Sequence, residues 1–480
     1  MPKISKTKWL LLIIVAAISI ILNINIVKAA KSDETDPPSW ISWQEKKIKS
    51  DSGVSFVLSK KRLVMKDGSN HDMWESSKDY LVQDVLVSDI DRNGDEEVIL
   101  LLWKIGRYGR KKPFWITSDE EEYSQHIFIY DIKDKDLQEK WCASDIGRLV
   151  TRIKLMEKDN AILLQEDTDG NCTLWVWESF GLKNIDNQVK FIAFGDNIIH
   201  KNIYEYADAK EGGTYNFLYE PFKKEIESAD IAAIAAETIL VDKKKAVSDY
   251  PSFGSPIAVG KAIKDAGFDI AVCGNNHALD KGIYGIDVTT DFYNENGIIC
   301  LGIQNSKDKE YRPYEIISKN GIRFALFSYT YGTNDIDVSL KYPYAVHYLP
   351  GTENEKKKVM EDIKKAKKEA DFVVVFVHWG DEYKKKISDK QKKMAQLFSD
   401  ANADVVIGTH PHVVQDTEII NRQNGESTLV YYSLGNFRAD QGRSADTRIG
   451  AEAIFFVEHT YDGIKLRSHE IKEVSSYWRD

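Results

Sequence analysis

From residue 189 onward, short runs of wholly apolar residues alternate with stretches of helical period. The runs at 189–194, 231–236 and 270–273 are followed by amphipathic segments at 217–229, 256–267 and 286–296. Strands buried on both faces read as continuous apolar text, and covering helices carry a 3.6-residue period. A strand at 323–329 leads to a long helix at 353–370, a strand at 372–377, a helix at 389–402 and a strand at 405–407. Strands at 429–433, 451–458 and 464–471 follow and predict an antiparallel edge. This is the pattern of an α/β domain spanning 188–480.

Residues 40–187 read differently. Short alternating or apolar runs at 54–58, 80–87, 97–103, 126–131, 161–165 and 173–178 are separated by turn residues. They predict antiparallel sheet in hairpins of propeller-blade type, in a region too short for a closed propeller. Between two of these strands lie Asp89, Asp91, Asn93, Asp95 and Glu97, with Gly94 at the sixth position. Oxygen donors at positions one, three and five before such a glycine wrap a hard cation such as calcium. The loop resembles the calcium loops of FG-GAP propeller repeats, and residues 167–171 read as a degenerate second copy. The alternative is an acidic hairpin turn without an ion. Trp103, Phe114, Trp115, Trp141, Trp175 and Trp177 are expected in the core of this β-rich domain.

The first 30 residues read as an address. Lys3, Lys6 and Lys8 precede an apolar run at 9–22, continued weakly to Val27. Val27-Lys28-Ala29 fits a signal-peptidase site with cleavage after Ala29. An uncleaved membrane anchor is the alternative, weakened by Asn23 and Asn25. Either way the positive flank stays inside. The rest is then expected at the extracellular face of the cytoplasmic membrane or secreted, after a linker at 31–39 containing Pro37-Pro38. A net charge of −10 with interleaved signs gives no basic field, so no nucleic-acid polymer is expected as a partner. The four cysteines, Cys142, Cys172, Cys273 and Cys300, form no Cys-x-x-Cys pair and are expected as thiols rather than metal ligands.

Candidate chemistry gathers where the apolar runs stop. In order, the runs deliver Asp196, then Glu237, then Asn275, Asn276 and His277, then His378, then His410 and His412, then Asn436. Open α/β sheets bind ligands at the carboxyl ends of their strands, so six such ends are expected to converge on one sheet edge. Carboxylate, imidazole and amide donors without thiolate suit a pair of divalent ions such as manganese, iron or zinc. Two such ions can hold an anionic substrate and activate water.

The motif order is Gly-Asp, Glu-Thr, Asn-Asn-His-Ala-Leu-Asp-x-Gly, His-Trp-Gly-x-Glu-Tyr, His-Pro-His-Val-Val-Gln and Tyr-Ser-Leu-Gly-Asn-Phe. From residue 189 to the end it resembles the CapA-type poly-γ-glutamate capsule biosynthesis proteins of the calcineurin-like metallophosphoesterase superfamily. The resemblance implies a four-layer metallophosphoesterase-like α/β (α+β) sandwich. It implies Asp196, Glu237, Asn276, His378, His410 and His412 as metal ligands, Glu237 as the bridging carboxylate and His277 as proton donor. It also implies a role in making or exporting an anionic polymer such as poly-γ-glutamate, beside membrane-bound synthase components. Asp280, Tyr432 and Asn436 are expected to support or turn the chain, and His200 stands off the ligand spacing. Two departures stand out: Ala235 replaces an asparagine frequent in the family, and the superfamily's Gly-His-x-His reads Gly-Thr-His-Pro-His. A secreted dimetal phosphoesterase or nucleotidase, and a metal-stabilised scaffold without turnover, remain open as alternatives.

Overall fold

The computed structural model describes residues 36–134, 136–156, 161–165 and 170–478. The predicted address segment, and most of the second loop predicted at 167–171, lie outside the described residues. Among the described residues no helix is long and apolar enough to cross a membrane. The chain divides into two compact units between Ile185 and Asp186.

The first unit holds three four-stranded antiparallel meanders, each in sequence order. The first runs from Lys46–Lys49 to Asp72–Glu75, the second from Leu81–Ser88 to Asp136–Cys142, and the third from Arg152–Met156 to Gly181–Ile185. The middle meander is covered on both faces. Val98, Leu100, Leu102 and Phe128 pack with Phe56, Leu63 and Met65 of the first meander. Ile99, Leu101, Ile127 and Ile129 pack with Ile153, Ile162 and Leu164 of the third. Double-sided burial explains why the strand Glu97–Ile105 is almost continuously apolar while its outer neighbours alternate. Two of the expected core aromatics are not in the core. Phe114 is 94% exposed and Trp115 67% exposed, stacked edge to face on each other in the long connection before Tyr123–Lys133.

The second unit is a four-layer sandwich, helix on sheet on sheet on helix. One sheet has the order Ile299–Leu301, Ile270–Val272, Ile231–Ala236, Gln188–Asn197, Ile449–Thr460, Gly463–Ser475. Its first four strands are parallel and the last two antiparallel. The other has the order Glu315–Lys319, Ile322–Thr330, Phe372–His378, Val405–Thr409, Ser427–Leu434, Val414–Asn421, with four central parallel strands. Side chains alternate along Gln188–Asn197. Phe191 and Ala193 enter the core between the sheets, while Ile192 and Phe194 face the helical layer. Each fully buried Phe or Ile there contributes roughly 1.5–3 kcal/mol.

Two helices are set by capping boxes. Thr352 with Glu355 starts Glu353–Glu369, and Ser388 with Gln391 starts Asp389–Asp400. Such caps contribute about 1 kcal/mol each.

Three expectations change. The strand expected at 429–433 is separate from the antiparallel pair at 451–471, because it joins the other sheet, parallel to Val405–Thr409 and antiparallel to the edge strand Val414–Asn421. The helix expected at 217–229 is two 3₁₀ turns, with Pro221 in the second, and a short helix Lys223–Glu227. A helix not anticipated, Lys201–Lys210, directly follows the Asp196 strand.

Candidate metal centre

Five of the six expected strand ends bring their donors together, on the facing edges of two sheets rather than one. Asp196, Glu237 and Asn276 follow strands of the first sheet, and His378, His410 and His412 follow strands of the second. Close backbone approach fixes the junction. A Cβ at Gly195 would sit 2.1 Å from the Gly435 oxygen, and a Cβ at Gly408 would sit 2.1 Å from the Tyr432 oxygen. Glycine alone fits there. His410 and His412 both take positive φ, 97° and 56°, so the turn after Thr409 holds its two imidazoles in strained backbone.

All six expected ligands are at least 96% buried. Asp196 Oδ2 accepts the His410 backbone N–H at 3.1 Å and lies 3.1 Å from His412 Nδ1. Glu237 Oε1 stands 3.6 Å from His378 Nε2 and 3.7 Å from His412 Nε2. Asn276 Oδ1 is 2.9 Å from His378 Nε2. Thr409 Oγ1 engages His378 Nδ1 at 3.0 Å, which turns Nε2 toward the pocket.

The electrostatics suit a bound cation. Asp196 Oδ1, both Glu237 oxygens and His410 Nδ1 are shielded from solvent and have no hydrogen-bond partner. Each such group costs roughly 1–3 kcal/mol, more when charged. Burial and the adjacent Asp196 carboxylate hold the Glu237 carboxyl well above its usual range. Burial, with other imidazoles nearby, pushes His378 far down and His410 to about 3, so both rings are neutral and present lone pairs.

Donor atoms of Asp196, Glu237 and His412 lie within 4.8 Å of one another, and so do those of Glu237, His378 and His410. Glu237 is common to both groups, as a carboxylate shared by two cation sites would be.

His277 adjoins this pocket. Its Nδ1 lies 2.7 Å from Asp280 Oδ2, and Phe253 meets its ring edge-on with centroids 4.7 Å apart. Asp280 is thus the carboxylate that orients His277 as well as a turn residue. Asn275 points away and ties Ala236 and Cys273 carbonyls to the His277 N–H. Asn436 bonds Gln441 and the Thr447 carbonyl, and His200 packs on Phe253.

Glu382 was not anticipated as a donor. Its carboxylate shares the 4.8 Å neighbourhood of His410 and His412 from the exposed side. Its place four residues after His378 was the available signal. Tyr331, 4.6 Å from the His410 ring, and Asn334, bonded to Asn276 and near His277, complete the wall. No pattern in the sequence marks either one.

In the first unit, donor atoms of Asp89, Asp91 and Glu97 lie within 4.8 Å of one another, and Asn93 Nδ2 donates to Asp91 Oδ2 at 3.2 Å. Lys140 Nζ pairs with Asp91 and sits 2.7 Å from Glu97 and 2.9 Å from Asp131. An ammonium therefore already lies among these carboxylates. All four cysteines are free thiols.

Fold and pocket together define a class: a four-layer α/β sandwich whose two sheets jointly present a carboxylate–imidazole donor set suited to divalent cations. Residues 190–441 match the family model described as bacterial capsule synthesis protein PGA_cap, and the chain belongs to that family. It is similar to the PGA biosynthesis protein CapA of Bacillus subtilis (strain 168), 37% identical over 185 residues, covering 38% of this chain and 45% of that one. It is also similar to the capsule biosynthesis protein CapA of Bacillus anthracis, 35% identical over 188 residues, covering 38% and 43% respectively. The chain thus spans less than half the length of these curated relatives. Among solved structures, calcineurin-like phosphoesterase YfkN from Bacillus subtilis aligns loosely. That alignment has 15% identity and a TM-score of 0.30, over 60% of this chain and 91% of that one.

Proposed function

We propose that this is an exported, metal-dependent protein of capsule-type polymer biosynthesis or export, acting on an anionic polymer such as poly-γ-glutamate. The observation that carries the reading is the pocket of unpartnered donors around Glu237, lying within the residues that match the capsule family. Asp196, Glu237 and His412 would hold one divalent ion, and Glu237, Asn276, His378 and His410 a second. Manganese, iron and zinc all suit this donor set. Ions bound there supply Lewis acidity toward an anionic substrate and an activated water.

The chain's own groups do the rest. Asp280 holds the His277 ring through Nδ1, leaving Nε2 to hand a proton to a departing group. Thr409 and Asn334 fix the rings and amide around the pocket. Tyr331 walls one side of it. In this reading the amino-terminal basic-apolar segment directs the chain outward, as a cleaved signal or an anchor, beside membrane-bound synthase components. The three meanders act as FG-GAP-like blades, with calcium at Asp89, Asp91, Asn93, Asp95 and Glu97.

The test compares metal content and cell-surface polymer in three forms. His410→Ala with His412→Ala should lose most of the metal and the polymer. His277→Ala should keep its metal and lose polymer by ~100-fold or more. A double variant with unchanged metal refutes the centre. A metal-loaded His277→Ala protein with full polymer output refutes the catalytic role and leaves the scaffold reading. Hydrolysis of model phosphodiesters without any effect on polymer would favour the phosphoesterase reading.

A further inference from the structure

Beside the metal centre, and lined by none of its proposed ligands, is a cavity of about 730 Å³. That is the size of a small-molecule or oligomer site. Its wall includes the helix Lys201–Lys210 and the loop carrying Ser248 and Asp249. The same loop continues to Phe253, whose ring packs on His277, so cavity and centre share one structural element.

The cavity is chemically graded. Inside, Tyr204 Oη and Asp249 Oδ1 are shielded from solvent and have no hydrogen-bond partner. Tyr215, buried, lines the same space. Burial and the nearby Asp249 raise the Tyr204 phenol, so it stays a neutral hydroxyl beside a carboxylate. The carboxylate only accepts, and the phenol offers an oxygen lone pair beside its own O–H.

At the mouth lie exposed Lys201, Lys243 and Lys244. The acids there are partly engaged already. Glu205 pairs with Lys201 at 3.5 Å, and Asp242 accepts the Tyr284 hydroxyl. Asp208 is exposed at the rim. Lys243 lies over the Tyr284 ring, and Lys244 has no ion pair among the described residues. An acceptor-rich interior under a rim with available ammonium groups matches a ligand whose own ammonium goes in first and whose carboxylate stays at the mouth.

We infer that this cavity binds a primary ammonium carried beside a carboxylate, as at the amino end of a γ-linked glutamyl chain. The assignment to such a chain rests on the polymer reading above. Asp249 and Tyr204 take the ammonium, and Lys243 and Lys244 take the carboxylate. The loop from Ser248 to Phe253 then leads the chain toward the centre.

The test is calorimetric binding to the full-length, metal-loaded protein. The probes are glutamate, a γ-linked glutamyl pentamer with a free amino end, and the same pentamer N-acetylated. The free-amine pentamer should bind ~10-fold more tightly than the acetylated one, the scale of a charge-assisted hydrogen bond. Asp249→Asn should erase that difference while leaving metal content and the acetylated probe unaffected, and Tyr204→Phe should reduce it.

Equal affinity for the two pentamers, or equal weakening of both by Asp249→Asn, overturns the cavity assignment and leaves the polymer reading standing. If neither pentamer binds but glutamate does, in an Asp249-dependent way, the ammonium–carboxylate site stands and the polymer reading falls. Binding of none of the three probes overturns the inference.

Discussion

Glu452 offers a quantitative test of how this fold tolerates buried charge. It lies on Ile449–Thr460 opposite Phe194, fully shielded from solvent. Lys472 Nζ stands 3.6 Å from its Oε2 but is committed to Glu225 at 2.6 Å. Burial, reinforced by the Glu225 carboxylate, raises Glu452 from 4.5 to about 7. For an acid raised on folding, the native state holds the proton more tightly than the unfolded chain. Its stabilising share is full below pH 4.5 and is lost as pH rises to about 7. At about 1.4 kcal/mol per pH unit, this shift amounts to about 3 kcal/mol of stability missing above pH 7.

Glu452→Gln removes the titration and keeps both size and polarity. The variant should match the parent near pH 4 and exceed it by about 3 kcal/mol near pH 8. Urea unfolding of both proteins across that range, at equal metal content, reads the difference directly. Parallel stability profiles for the two would refute the reasoning, since they would mean that Glu452 enters the native state already ionised at no cost.

Three further outcomes are expected. Gly195→Ala places a Cβ 2.1 Å from the Gly435 oxygen and should cost roughly 1–3 kcal/mol or more, with loss of metal; an unchanged melting temperature would contradict it. Glu382→Gln should leave the fold intact, because the side chain is exposed, yet lower metal retention on dialysis, measured by elemental analysis; full retention would remove Glu382 from the donor set. Calcium at millimolar concentration should stabilise the Lys140→Met protein against heat more than the parent, since Lys140 already neutralises Asp91 and Glu97, and Asp91→Ala should abolish the gain; no shift in either protein would retire the calcium loop.

The donors were legible because each sits where a fully apolar run meets a glycine or a polar turn. That rule returns Asp196, Glu237, Asn276, His378, His410 and His412 together with Asn275, His277 and Asn436, and the choice of the six among them rests on the family resemblance. The division of strands between two sheets was not legible. Ser427–Leu434 and Ile449–Thr460 are both apolar and near in sequence, yet only long-range pairing assigns the first to one sheet and the second to the other. Short edge strands were missed for a local reason. Lys46–Lys49 has a single apolar residue, and Asp72–Glu75 presents mostly exposed side chains, so neither carries an alternation to read. Phe114 and Trp115 misled because aromatic character is a prior for burial, and they sit in the long loop between Glu97–Ile105 and Tyr123–Lys133, outside the strands of the middle meander.

The split origin of the centre has a consequence for timing. Three donors come from residues 196–276 and three from 378–412, carried by different sheets. Before the sheets dock, neither half offers more than three of the six donors, and neither reproduces the shared position of Glu237. A chain with only one of the two sheets formed would therefore lack the complete donor set. Only the finished sandwich can choose, so the identity of its metal would be set by the medium in which folding ends and not by the one in which synthesis began.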